Sequence, residues 1–390
     1  MSVTNGGITG RGLAHGGIPS GQLNKFVLNR QPLSRWKTDR DAAWIARTGR
    51  TKVVLYGDSS QASYGSDGVA NFQAVKAMDA RLARRFTAEG KPSTYQAAFG
   101  GHGVTVLSNW DFRISQGVFA YGSVGSYGIS LGGEFFLAGS AATFSFTPKD
   151  DSQVAVSTDT ADFYYCQDPS AGGVTKQIDT GTATAVNENG TSQMMKTTIS
   201  GTLAGHTYKW NWASGSTNLV GVHCYNSAVK GVDFLNCGVV GAWAQQYVDA
   251  NFKWNPSQAL SILQPSLVFF SAGANDWLGG TALATVKASM KAAVLLIKAT
   301  GADVVIVGYN PVGLDYNAVT TADGQMNLRR IQLEVAQETG CTFIDTLMLM
   351  GGPGAYLANL AAGLMQTDKL HRTFNGMTPI VNLKHDLMAA

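Results

Sequence analysis

The sequence predicts an α/β protein in which a parallel sheet with crossover helices is interrupted by an antiparallel β-sandwich. Three observations predict it. Towards both ends of the chain, short apolar runs alternate with amphipathic segments of helical period, the pattern of strands joined by crossover helices. Between about Gly100 and Lys230 the period shortens to two, and clusters of Gly, Asp and Asn punctuate it, as short antiparallel strands require. The 390 residues are 45% hydrophobic and 14% charged, against a usual charged share of roughly 25%. That composition supplies a sizeable core and excludes disorder for most of the chain.

The elements follow in order. Residues 1–30 are rich in Gly and Asn without a period and read as an irregular or partner-bound arm. A helix is expected from Leu33 to Arg47, anchored by Trp36, Trp44 and Ile45. TKVVLYGDSS, residues 51–60, gives a buried strand from Lys52 to Tyr56 that runs into a Gly-Asp-Ser turn. Asn71 to Ala88 follows as an amphipathic helix, because Phe72, Val75, Met78, Leu82 and Phe86 fall at helical spacings. In the β-rich block, strands are expected at 141–147, 153–157, 162–166 and 207–212. Thereafter strands at 232–236, 266–273, 303–310 and 341–347 alternate with helices near 242–251, from Ala284 to Thr300 and from Gln325 to Thr339. The expected division is an arm over 1–30, an α/β scaffold over 31–100 and 231–390, and an inserted β-rich domain over 101–230.

Lys and Arg (29) exceed Asp and Glu (26) by three, too few for the basic field that attracts phosphate backbones, so nucleic acid is not an expected partner. Cys166, Cys224, Cys237 and Cys341 are scattered without a CxxC pair, which argues against a disulfide framework or a thiolate zinc site. No HExxH or clustered ligand spacing marks a metal, and no cofactor is implied. The opening MSVTNGGITG lacks the basic start and apolar run of an export signal, and no stretch has the length of a membrane span.

Ligands of open α/β sheets bind beyond the carboxyl ends of the strands. Three expected strands end in suggestive residues: Gly57-Asp58-Ser59, NCGVVGA at 236–242 and GAND at 273–276. DKLH, Asp368 to His371, comes after the last strand. In this order the four segments resemble the blocks of the SGNH/GDSL hydrolase family, over about residues 50–100 and 231–385. The resemblance implies a flavodoxin-like sheet and a Ser-His-Asp esterase without a cofactor. Ser59 would be the nucleophile, His371 the general base and Asp368 its orienting carboxylate. The backbone N–H groups of Ser59 and Gly241 and the side-chain amide of Asn275 would form the oxyanion hole.

Elementary chemistry supports these types. A serine hydroxyl needs an imidazole to take its proton, and the imidazole needs a carboxylate to hold its tautomer. Of the six histidines only His371 has an Asp three residues before it, close enough to share one side of a turn. Blander readings stand beside these. Ser59 could be a helix cap, Asn275 and Asp276 could end a strand and cap the next helix, and His371 could be a satisfied core or surface residue. Gly238, or Gly100 and Gly101, compete with Gly241. GISLG, residues 128–132, matches a GxSxG elbow around Ser130, but glycine-interrupted, strand-like sequence follows where that motif needs a helix. DKLHRTFNG also lacks the proline common after the family histidine, and Ser60 stands where Leu or Thr is common.

The β-rich block is crowded with aromatics, among them Trp110, Phe112, Tyr121, Tyr127, Phe163, Tyr164 and Tyr165. In TYKWNW, residues 207–212, Tyr208, Trp210 and Trp212 share one face by period two, as sandwich core in the main reading or a sugar platform in the sharper one. The resemblance extends loosely to GDSL hydrolases that carry a jelly-roll-like module, several of them carbohydrate esterases or phage-associated. It thus implies cleavage of acetyl groups from a polysaccharide, at an extracellular or virion-associated location. Two rivals remain open: a lipase or small-ester esterase with the same triad, and a non-catalytic virion or adhesin-type binding protein.

Overall fold

The computed structural model describes residues 24–63, 77–99, 111–116, 120–121, 136–138, 142–249 and 255–390. Five parallel strands form the centre of the main sheet: β1 (Thr51–Gly57), β2 (Val232–Gly238), β3 (Leu267–Ser271), β4 (Asp303–Val307) and β5 (Thr342–Ile344). Their spatial order is 2-1-3-4-5, the flavodoxin-like order that reverses direction at β1. Ser93–Thr94 extends the sheet beside β2 in parallel, and Val27–Leu28 closes the other edge antiparallel to β5. The last residues of the Gly- and Asn-rich start therefore join the sheet instead of standing apart. Two residues are too few to show a period.

The helices around this sheet are α1 (Ser34–Trp44), α2 (Ser59–Ala62), α3 (Met78–Ala88), α4 (Pro256–Leu263), α5 (Ala274–Leu278), α6 (Leu283–Ala299), α7 (Ala322–Thr339) and α8 (Phe374–Ala389); two further short helices lie at Thr346–Leu349 and Tyr356–Ala361. Side chains alternate across a strand, so β1 sends Val53 and Leu55 to one face and Val54 and Tyr56 to the other. The first pair packs with Trp36 and Trp44 of α1, Met78, Leu82 and Phe86 of α3 and Ile380 of α8. The second packs with Leu260 of α4, Met290 and Val294 of α6 and Leu328 and Ile331 of α7. Both faces are covered, which is why these strands read as unbroken apolar runs.

Two antiparallel sheets lie beside this scaffold. One has five strands in the order 184–187, 173–178, 208–214, 143–146, 114–116; the other runs 193–205, 157–167, 217–225, 136–138, 120–121, with 97–99 also paired to 217–225. Between them is an aromatic core. Tyr208 and Trp210 are completely buried, with Trp210 5.0 Å from the Phe163 ring and 5.5 Å from that of Tyr165. The period-two ladder is thus core at Tyr208 and Trp210, which closes a sugar-stacking role to both.

The second face of the six-stranded sheet is apolar as well. Phe99, Tyr164, Cys166, Met194 and Val220 share one cluster with Tyr56, Leu235, Tyr247 and Leu260 of the α/β scaffold. The β-rich and α/β parts therefore meet through a continuous hydrophobic core.

Several expected elements differ. Residues 153–157 form no strand up to Ser157: Asp150 Oδ1 accepts from the amides of Ser152 and Val154 (2.9 and 3.0 Å), folding a tight turn before the long strand Ser157–Gln167. The helix near 242–251 shrinks to a 3-10 turn, Ala244–Tyr247. Of the helix expected over 71–88, Met78–Ala88 is helical and the first residues lie outside those described; Trp110, Tyr127 and GISLG with Ser130 also lie outside them. All four cysteines are free and buried. No described helix is long and apolar enough to cross a membrane.

Because Trp210 fills the centre of the inter-sheet core, Trp210→Ala should cost about 3–5 kcal/mol of stability, read as a lower denaturation midpoint in urea.

Candidate active site

The site is built where β1 ends between its two neighbours. Gly57 is in register with Gly238 of β2 and Ser271 of β3. It adopts φ +130°, and a Cβ there would lie 1.9 Å from the Ser271 carbonyl oxygen, so only glycine fits. The Asp58 amide then donates to that same carbonyl (2.9 Å), and Asp58 Oδ1 accepts from the Ser60 amide (2.9 Å) as the N-cap of α2. The cap is therefore Asp58, not Ser59. Ser59 occupies the first helical position, where a backbone N–H has no partner within its own helix.

Ser59, His371 and Asp368 are brought together across 312 residues of chain. Ser59 Oγ lies 2.9 Å from His371 Nε2, and His371 Nδ1 lies 2.6 Å from Asp368 Oδ2. The other carboxylate oxygen accepts the amides of Leu370 and His371, both at 2.9 Å. Asp368 thus folds its own loop, with Lys369 at φ +66° completing the turn. The loop is fastened from outside: Asn310 Nδ2 donates to the Leu370 carbonyl (2.8 Å), the Gly313 amide to that of Lys369 (3.0 Å).

The charges around the site are unequal. Burial pushes the Asp368 carboxyl up, but hydrogen bonds from the His371 ring and amide and the Leu370 amide outweigh it and hold the group below the usual carboxylate range. Asp58 is fully buried, and desolvation lifts it to about 6 against the opposing pull of the Ser60 hydrogen bonds and the Arg372 and His371 charges.

At the neighbouring strand ends, Asn275 is the second residue of α5 and its Nδ2 donates to the Ala242 carbonyl at 2.8 Å. One amide hydrogen is thereby used and a second remains. Gly241 is exposed, sits at φ +79°, and its amide donates to no group among the described residues. Gly238 is engaged differently: its amide donates to Asn236 Oδ1 (3.2 Å), and a Cβ would lie 2.1 Å from the Ala62 backbone nitrogen. It permits close approach of β2 and α2, which distinguishes it from Gly241. Gly100 and Gly101 lie outside the described residues. Asp276 caps the 3-10 turn by accepting from the Ala244 amide at 2.7 Å, while burial raises its pKa.

Two buried residues of the site carried no signal in the sequence reading. Asn310 stands just beyond β4, a fourth strand end that could have been inspected with the other three. Arg372 follows the histidine, is 2% exposed, and donates from Nη2 to the Ser60 carbonyl at 3.1 Å. Among the described residues no group of three or more His, Cys, Asp or Glu side chains is placed to hold a metal ion.

The order of the parallel strands defines a flavodoxin-like α/β scaffold. Residues 207–376 match the GDSL-like Lipase/Acylhydrolase family model. Among solved structures it is similar in fold to a peptidoglycan O-acetylesterase, at 15% identity, with 94% of this chain and 100% of that chain covered and a TM-score of 0.69. A looser match is the acetylxylan esterase Axe2 from Geobacillus stearothermophilus, at 15% identity, covering 41% of this chain and 74% of that one with a TM-score of 0.32. No curated protein matches the chain by sequence.

Two outcomes are expected. Gly238→Ala should strongly destabilise the protein, because the methyl group meets backbone, and thermal unfolding would record it. Asp368 releases its proton at lower pH in the folded protein than in the unfolded chain. Its stabilisation is therefore complete above the unfolded carboxylate range and lost as pH falls through the folded value. The Tm deficit of Asp368→Asn should accordingly be largest near neutral pH and shrink as the solution is acidified.

Proposed function

We propose that the protein is a serine esterase that removes acyl groups, above all acetyl, from a carbohydrate. The observation that carries the esterase reading is the unbroken chain of contacts from Ser59 Oγ through both ring nitrogens of His371 to Asp368, at 2.9 and 2.6 Å. Ser59 attacks the ester carbonyl carbon while His371 Nε2 takes the hydroxyl proton, and Asp368 stabilises the imidazolium that forms. The oxyanion develops against the Ser59 amide, the Gly241 amide and the remaining Asn275 hydrogen. Collapse breaks the bond to the sugar oxygen, which leaves with the proton from His371. Water, deprotonated by the same imidazole, then attacks the acyl-enzyme and releases acetate and free Ser59.

The carbohydrate part of the reading rests on two supports. The structure matched over 94% of this chain is a peptidoglycan O-acetylesterase by name, so an acetylated glycan is the substrate class to try first. The β-rich block over 101–230, which we take as an inserted domain, shares a core with the scaffold through Tyr164, Cys166, Met194 and Val220, which packs its described strands against the α/β part. With Tyr208 and Trp210 buried, glycan contacts would come from other side chains of that block.

The test is acetate release from a panel of acetylated polysaccharides, run beside p-nitrophenyl and lipid esters. Acetate should appear from acetylated glycan in preference to the other esters, and Ser59→Ala should lower the rate by about 10⁴-fold or more. Equal turnover of all esters would end the glycan reading; undiminished turnover by Ser59→Ala would end the triad.

A further inference from the structure

Ser60, the residue after the proposed nucleophile, is held at both ends of its backbone. Its amide donates to Asp58 Oδ1 at 2.9 Å, and its carbonyl accepts from Arg372 Nη2 at 3.1 Å. The two loops of the site therefore meet twice, side by side: His371 reaches Ser59, and the very next residue reaches the carbonyl next along from Ser59. Arg372 and Asp58 are 2% and 0% exposed. A buried guanidinium or carboxylate is strongly penalised unless an opposite charge compensates it. Burial drives both towards neutrality; against it the Ser60 hydrogen bonds and then the Arg372 charge pull the Asp58 carboxyl down, and Tyr309 and then Asp58 pull the guanidinium up. Arg372 Nη1 and Asp58 Oδ2 are also the two atoms of this pair that have no hydrogen-bond partner among the described residues.

We propose that Arg372 is a positioning residue, a buried cation that fixes the nucleophile turn against the histidine loop and so sets the Ser59–His371 separation. The inference rests on the triad reading above. It requires no contact between Arg372 and substrate. The guanidinium suits the task because its planar, forked donors hold direction as well as distance, whereas an ammonium is a point charge. The hydroxyl-to-imidazole distance is the quantity at stake, and a misplacement of roughly 1 Å in such a pair can cost about 10²-fold in rate.

The test uses the full-length chain with four variants: Arg372→Met, Arg372→Lys, Asp58→Asn and Ser59→Ala. For each, kcat and KM on an acetyl ester, the rate of fluorophosphonate labelling and Tm are measured. Arg372→Met should lower kcat and the labelling rate together by about 10- to 100-fold with KM nearly unchanged, and Arg372→Lys should recover part of that loss. Asp58→Asn retains an acceptor for the Ser60 amide but removes the counter-charge, and should also slow labelling. Wild-type kcat and labelling in a folded Arg372→Met protein overturn the proposal. If that variant does not fold, wild-type rates in Arg372→Lys overturn it. Failure of the underlying reading looks different, because Ser59→Ala would then be labelled as fast as wild type.

Discussion

Everything at the site depends on the register that sets Gly57 between Gly238 and Ser271. Neighbouring parallel strands lie about 4.8 Å apart, so three strands ending at one level deliver three loops within about 10 Å of one another. Each strand then contributes something different: a side-chain hydroxyl with its free amide, an exposed glycine amide, and a side-chain amide. The sheet fixes these positions before any loop conformation matters. What remains for the C-terminal loop is to bring an imidazole over the top, and Asp368 does this by organising the turn that carries its own partner.

Much of this arrangement was legible because the residues involved are constrained by backbone geometry as well as by chemistry. Gly57-Asp58-Ser59 could be read as the end of a strand because Val53 to Tyr56 are buried on both faces and form an apolar run. DKLH could be read because the carboxylate and imidazole lie within one turn. The less legible parts are those where a residue acts through space on a distant segment. Arg372 meets Ser60 only after the chain has returned across the whole sheet, and no spacing in the sequence announces that. Asn310 is similar, since its partner carbonyl at Leu370 is sixty positions away. The α8 helix contains Pro379, which removes one backbone donor from the helical ladder and interrupts the usual signal of a helix.

The β-rich block illustrates a different difficulty. Alternation predicts one buried and one wet face, yet Phe163, Tyr164, Tyr165 and Cys166 are all buried in succession. The odd and even residues of that strand enter separate cores, one shared with the second antiparallel sheet and the other with the α/β scaffold. Period-two reasoning correctly placed a strand there but could not say that its outer side would be covered as well. The 157–167 strand is a middle layer.

That middle layer limits how such a chain can be re-engineered or diversified. Deleting the antiparallel strands to leave a minimal α/β half would uncover Tyr56, Leu235 and Leu260 to water, and the freed strands would show Tyr164 and Met194 in turn. Two sticky surfaces would replace one dry seam. A graft of another module onto this scaffold would have to bring a matching apolar back, and it would also have to replace the Asp151 carboxylate, which accepts from Arg84 of α3 and from the Tyr95 hydroxyl at the turn between strands 143–146 and 157–167.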